Sequence, residues 1–198
     1  MSSTMEDVKK LREKTGAGVV DCKKALEEAK GNMQEAVDIL RKKGLAQAQK
    51  KSSRTTKEGV IGHYIHHNNK LAALVELRCE TDFVAKTDDF LKLAEELSMQ
   101  VAATGPKFVK IEDVPEEVIN KEKEILKEQL KNEKKPENVI EKIIEGRMQK
   151  FYEEVVLMEQ PFIRDDKKKI KELVAETIAK TGENIQIARF VRLQLGED

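Results

Sequence analysis

Apolar residues recur every three or four positions through the N-terminal quarter of the chain, the period of helices with one buried face. Met5, Val8 and Leu11 form the first such stripe, with Thr4 at its N-cap. Lys14-Thr15-Gly16-Ala17-Gly18 breaks it. Cys22, Ala25, Leu26 and Ala29 form the second, which Gly31 is placed to end in a left-handed conformation. Asn32 and Glu35 have capping-box spacing ahead of a third stripe, Met33, Ala36, Val37 and Leu40, with Gly44 at its end. A three-helix mini-domain with a small core is predicted. Residues 46–58, AQAQKKSSRTTKE, lack apolar anchors and read as a basic, solvated hinge.

The period then changes. Val60 to His67 and Leu71 to Cys79 flank Asn68-Asn69-Lys70, which predicts a tight hairpin, since Asn tolerates positive φ. Leu71, Ala73, Val75, Leu77 and Cys79 alternate onto one face. Helical spacing returns after Thr87 with Phe90, Ala94, Leu97 and Val101, and Asp88 and Asp89 stand in the favourable first turn. Gly105-Pro106 interrupts it. Pro115 suits the start of a mostly charged helix over 116–135, with Ile119, Leu126 and Leu130 apolar. After Pro136, Ile144, Met148, Phe151, Val155 and Met158 form a narrow seam, so a helical arm from these two segments is expected. Asp165 or Asp166 is placed to cap a last helix carrying Ile170, Leu173, Val174 and Ile178, ended by Gly182. Ile185, Ile187, Val191, Leu193 and Leu195 alternate as a C-terminal strand that joins the hairpin. The predicted class is α+β. A three-helix domain and linker occupy residues 1–53. Residues 54–198 form an α+β core with a small antiparallel sheet, helices on one face and a helical arm.

Composition narrows the function. Charged residues make up 37% of the chain and aromatics 4%, which fits a helix-rich protein with large solvated faces. Basic and acidic residues balance at 37 each, which counts against a general nucleic-acid binder. No apolar run approaches the ~20 residues that span a bilayer, and the N-terminus lacks a signal-like stretch. With only Cys22 and Cys79, far apart, the expectation is a soluble cytoplasmic protein with two buried or half-buried free thiols. No phosphate-binding glycine loop occurs, so no nucleotide or other cofactor is expected. His63, His66 and His67 lack acidic or Cys companions, and ordinary strand histidines are expected there, with no metal. No arrangement of nucleophile and base points to an enzyme.

Two segments carry a specific resemblance. One is Leu11-Arg12-Glu13-Lys14-Thr15-Gly16-Ala17-Gly18-Val19-Val20-Asp21-Cys22-Lys23-Lys24-Ala25-Leu26. The other is Glu76-Leu77-Arg78-Cys79-Glu80-Thr81-Asp82-Phe83-Val84-Ala85-Lys86. Both resemble signature segments of the elongation factor Ts family, in the right order and at a similar separation. Lys135-Pro136, Glu145-Gly146-Arg147, Lys150-Phe151, Gln160-Pro161-Phe162 and Gly182-Glu183-Asn184-Ile185 with Arg189 extend the likeness over nearly the whole chain. Arg78 departs from the Asn usual in the family. The chain is similar to the short, single-core form, which lacks the doubled core of longer members.

The resemblance implies a nucleotide-exchange factor that binds elongation factor Tu, in GDP-bound and nucleotide-free states, and assembles as a homodimer, with residues 54–198 as the dimerisation domain and Phe151 and Val155 in its C-terminal half as seam candidates. It assigns the working segment to Thr81, Asp82, Phe83 and Val84, with Phe83 wedging near the partner's magnesium and phosphate site. By residue type alone Phe83 would be a core residue. The resemblance also implies that Arg12, Val19 and Val20 contact a helix of the partner's G domain. From the residues, one of the two adjacent valines packs inside and the other is exposed. The three-helix domain is similar in shape to ubiquitin-associated domains. Residues 5–44 taken alone would therefore suit an adaptor of that type. The basic linker taken alone would suit an RNA-associated ribosomal accessory protein, whose affinity would fall steeply with salt.

Overall fold

The structure, a computed structural model, describes residues 4–130 and 136–197. Thr4 opens α1 (Met5–Thr15) with both halves of a capping box, since its hydroxyl accepts the Asp7 N–H and the Asp7 carboxylate accepts the Thr4 N–H. After α2 (Val19–Glu28), Lys30 and Gly31 take φ of 50° and 87°, and the Gly31 N–H closes onto the Leu26 carbonyl at 2.8 Å. The Asn32 side chain then accepts from Gln34 and Glu35 N–H and opens α3 (Met33–Lys51). Val8, Leu11, Cys22, Ala25, Leu26, Ala29, Ala36 and Leu40 close one core, flanked by Met33 and Val37.

Two expectations fail in this region. Met5 is 80% exposed, because it sits at the first helical position, a turn ahead of the core that begins at Val8. Gly44 does not end the third helix. It lies buried inside α3, which runs on to Lys51, so residues 46–51 of the expected hinge are helical. Ala and Gln are good helix formers, and Gly44 faces the last helix, where an added Cβ would reach the Ala175 carbonyl at 3.9 Å.

The chain forms two compact units, Met1–Met99 with Lys171–Asp198 and Gln100–Ile170. In the first, β1 (Glu58–Ile65) and β2 (Leu71–Cys79) form the hairpin, with Asn69 at φ 56° and the Asn68 side chain accepting from Lys70 N–H. β5 (Gln186–Gln194) pairs antiparallel with β2, giving the order β1-β2-β5. Ala73, Val75, Leu77 and Cys79 are all buried on one face. The C-terminal strand is present, but its side chains change phase. Ile187 pairs with Leu77 and Arg189 with Glu76, so Ala188 is an extra residue. Val191 and Leu193 therefore turn to the outer face while Ile185 stays buried.

Thr87 caps α5 (Asp88–Thr104), whose stripe of Phe90, Ala94, Leu97 and Val101 is buried as expected. Each of the larger three contributes ~1.5–3 kcal/mol of burial. α5 crosses β1 at Gly62. A Cβ there would lie 2.5 Å from the Ala94 carbonyl oxygen, which is backbone and has little room to yield. Gly62→Ala is expected to cost about 1–3 kcal/mol, read as a thermal midpoint lowered by several degrees. The closing helix, α8 (Ile170–Thr181), ends where Gly182 takes φ 79°.

In the second unit, α6 (Glu116–Leu130) and α7 (Glu137–Val155) form the helical arm around Leu126, Leu130, Ile144 and Met148. Residues 131–135 of the expected charged helix lie outside the described residues. Phe151 packs against this core, and Met158 falls beyond the helix in a 3-10 turn over Leu157–Glu159. Neither Asp165 nor Asp166 caps a helix. Asp165 accepts the Lys167 N–H at 3.2 Å and starts β4 (Asp165–Lys169), paired with β3 (Pro161–Phe162). Lys169 is drawn to Glu153 at 3.0 Å and Glu159 at 3.4 Å, which holds the segment extended. The buried Gln100 amide donates to Gln160 and the Pro161 carbonyl and accepts from Ile163 N–H, so its burial is compensated. Among the described residues no helix is long and apolar enough to cross a membrane.

Candidate functional site

Thr81, Asp82, Phe83 and Val84 lie where β2 gives way to α4 (Asp82–Ala85). Thr81 is its N-cap and accepts the Val84 N–H. Asp82 stands in the first turn, favoured by the helix dipole, and pairs with Lys86 at 2.7 Å. Thr87 donates its hydroxyl to the Val84 carbonyl at 2.8 Å before capping α5, so the two helices share a rigid joint. Ala85 is buried and anchors the turn, while Phe83 is 80% exposed. Residue type alone misplaces this ring. A four-residue helix has one inward position, and here Ala85 takes it.

The turn is braced from a distant part of the sequence. Glu183 accepts the backbone N–H of Glu80 at 3.1 Å, the N–H of Thr81 at 3.0 Å and the Thr81 hydroxyl at 2.6 Å. In return the Glu80 carboxylate accepts the Asn184 N–H at 2.6 Å and meets Arg54 at 3.4 Å. The buried Asn184 amide donates to the Arg54 carbonyl at 2.8 Å and the Ser52 carbonyl at 3.4 Å. None of these supports is visible in sequence spacing. The segment Gly182-Glu183-Asn184-Ile185 carries the resemblance, but its contact with residues 80–81 exists only in three dimensions.

The electrostatics follow the geometry. The Asn184 N–H, aided by Arg54, holds the Glu80 carboxyl below the usual range, and Lys86 does the same for Asp82. Burial pushes the Cys79 thiol up to about 11, and its sulfur donates to the Thr81 carbonyl at 3.1 Å, so this thiol is inert packing beneath the turn. Cys22 is also buried and free. Since the folded Glu80 carboxyl titrates below its unfolded value of 4.5, its stabilising contribution is present above that pH. It is lost as pH falls through the lower folded value. The thermal midpoint is therefore expected to drop on acidification below about pH 4.5, and to drop less steeply in Glu80→Gln.

Arg12, Val19 and Val20 lie at the α1–α2 junction. Gly16 at φ 68° ends α1, and Gly18 precedes α2. Val19 and Val20 are 47% and 64% exposed, so neither packs into the small core, contrary to the expectation of one inside and one outside. Both stand on the first turn of α2, whose inward face starts at Cys22. Arg12 lines a shallow cavity with Lys9, Gly16, Asp89 and Lys180, and Lys180 pairs with Asp89 at 3.0 Å. His66 shares a hydrogen bond with the Tyr64 hydroxyl at 2.9 Å.

Fold and site together define an α+β protein that projects an aromatic side chain from a turn tied down by Glu183 and Asn184. Comparison with known proteins gives that description a family. The family model for Elongation factor TS matches residues 1–197. Elongation factor Ts of Thermotoga maritima is 58% identical over 197 residues, covering 100% of this chain and 98% of the relative. That of Maridesulfovibrio salexigens is 59% identical over 197 residues, covering 100% and 96%. That of Thermosipho melanesiensis is 56% identical over 190 residues, covering 96% and 97%. The chain belongs to the elongation factor Ts family of translation factors.

Proposed function

We propose that the chain is a guanine-nucleotide exchange factor of the cytoplasm that binds elongation factor Tu and promotes GDP release, without catalysing a reaction of its own. The observation that carries this reading is the exposed Phe83 ring on a short helix fixed from both sides. The ring enters the partner's G domain near its magnesium and phosphate site and displaces the groups that hold them. Thr81, Asp82 and Val84 set the shape of the turn that enters with it. A 10,000-fold acceleration of release takes ~5.5 kcal/mol. Burying one Phe supplies ~1.5–3 kcal/mol. A second contact must hold the distorted partner, and the three-helix domain of residues 1–53 provides it through Arg12, Val19 and Val20. These present charge and apolar surface at one helix junction of the kind ubiquitin-associated domains use. Coupling is reciprocal, so GDP weakens binding of this chain by the factor by which this chain weakens GDP. The test is release of fluorescent GDP from elongation factor Tu with and without the chain. Equal rates would remove the reading.

The resemblance to short family members includes homodimerisation, and one surface suits it. The outer face of the sheet is open in the first unit. Its paired rows are His63–Leu74–Val191 and Ile65–Ala72–Leu193, with Ile65, Leu74, Val191 and Leu193 all exposed. Three adjacent strands thus offer aliphatic side chains in register, the requirement for packing one sheet face on another. A second copy is the occupant we assign, since one apolar face meets itself across a two-fold axis. Phe151 and Val155, the seam candidates of the C-terminal half, are half-buried, and Phe151 packs against the arm's own core.

A further inference from the structure

The tie between residues 80–81 and 183–184 has a direction that the exchange reading does not use. We infer that Glu183 is a positioning residue: by fixing the orientation of the Thr81 hydroxyl it aims the helix that carries Phe83. The inference rests on the proposed exchange function.

A hydroxyl has one hydrogen and two acceptor sites. Here the hydrogen goes to Glu183 Oε1 at 2.6 Å. A lone pair is thereby left facing the Val84 N–H, at 3.4 Å, the bond that caps α4. The second oxygen of Glu183 takes the N–H groups of Glu80 and Thr81, so the peptide before the helix is held as well. A carboxylate only accepts, and all three partners here donate. The brace itself has little freedom. The Gly182 carbonyl accepts from Lys51 Nζ at 2.7 Å, and the Asn184 N–H is held by Glu80 at 2.6 Å. Each Glu thus accepts a backbone N–H from the other's turn, and neither turn can rotate alone.

Glu183→Gln isolates the effect. It keeps size and shape but replaces one acceptor oxygen by a donor NH2. If the NH2 faces the Thr81 hydroxyl, that hydrogen must turn away and the hydroxyl must accept instead. If the amide is flipped, the NH2 faces two backbone N–H groups. The flipped amide sets donor against donor, and the other orientation reverses the Thr81 hydroxyl, so neither keeps the native arrangement of hydrogen and lone pairs at Thr81.

The experiment follows release of fluorescent GDP from elongation factor Tu over a concentration series of wild type, Glu183→Gln and Glu183→Asp. Amide hydrogen exchange of each free protein is read alongside. The Asp variant keeps both acceptor oxygens but falls one methylene short, and it serves if the Gln variant folds poorly. The saturating release rate is expected to fall about tenfold while the half-saturating concentration stays within about threefold. Amides of Thr81 and Val84 are expected to exchange about tenfold faster, with central β2 amides unchanged. A variant that matches wild type while wild type accelerates release overturns this inference alone. So does a loss confined to the half-saturating concentration, or unchanged protection at Thr81 and Val84. A wild-type chain without effect on GDP release overturns the exchange reading and this inference with it.

Discussion

Phe83→Ala is expected to lower the saturating rate of GDP release from elongation factor Tu by about 10- to 150-fold, the range that ~1.5–3 kcal/mol of ring burial in the partner converts to. Because Phe83 is 80% exposed in the free chain, removal of its ring leaves no cavity in this protein. The thermal midpoint therefore stays within a degree or two, which separates loss of the wedge from loss of the fold. The half-saturating concentration is expected to change little, since the contacts proposed for Arg12, Val19 and Val20 lie outside the α4 turn. Stopped-flow release at several factor concentrations reads both quantities. A variant that releases GDP at the wild-type rate would falsify the wedge while leaving family membership intact.

The second large effect concerns assembly. Val191→Lys with Leu193→Lys is expected to convert the proposed dimer to a monomer, measured as a halving of mass by light scattering at working concentration. Each change is made twice across a two-fold interface. Losing burial of Leu193 alone therefore costs about 3 kcal/mol or more, roughly two orders of magnitude in the dimer constant. Both side chains are exposed in the single chain, with Leu193 at 65%, so the fold of each subunit survives. A wild-type chain of monomer mass removes the proposal, as does a Lys-substituted chain that remains dimeric.

Local rules carried most of the secondary structure into view. Thr4, Asn32 and Thr87 cap the helices they precede, and the stripes on α2 and α5 are buried residue for residue. The misreadings share one cause, tertiary context that local pattern does not contain. Gly44 reads as a stop signal, yet it is interior because α8 packs close by. Asp165 reads as a helix cap, yet the carboxylates of Glu153 and Glu159 hold Lys169 in a hairpin. The alternation of the last strand reads as one face until the extra residue Ala188 divides it. For the site, residue type argues that Phe83 is buried, and only the motif around it argues otherwise. Glu183 lies in a segment that carries the resemblance, but its bracing role is visible in neither way, because its partners lie 102 and 103 positions earlier.

That separation in sequence has a consequence for synthesis. A growing polypeptide has made Phe83 long before it has made Glu183, so the segment emerges from the ribosome without the residue that orders it. The turn is completed only after the chain has grown by a further 102 residues beyond Thr81. A chain truncated just ahead of Gly182 would carry every residue of the wedge and still lack its aim.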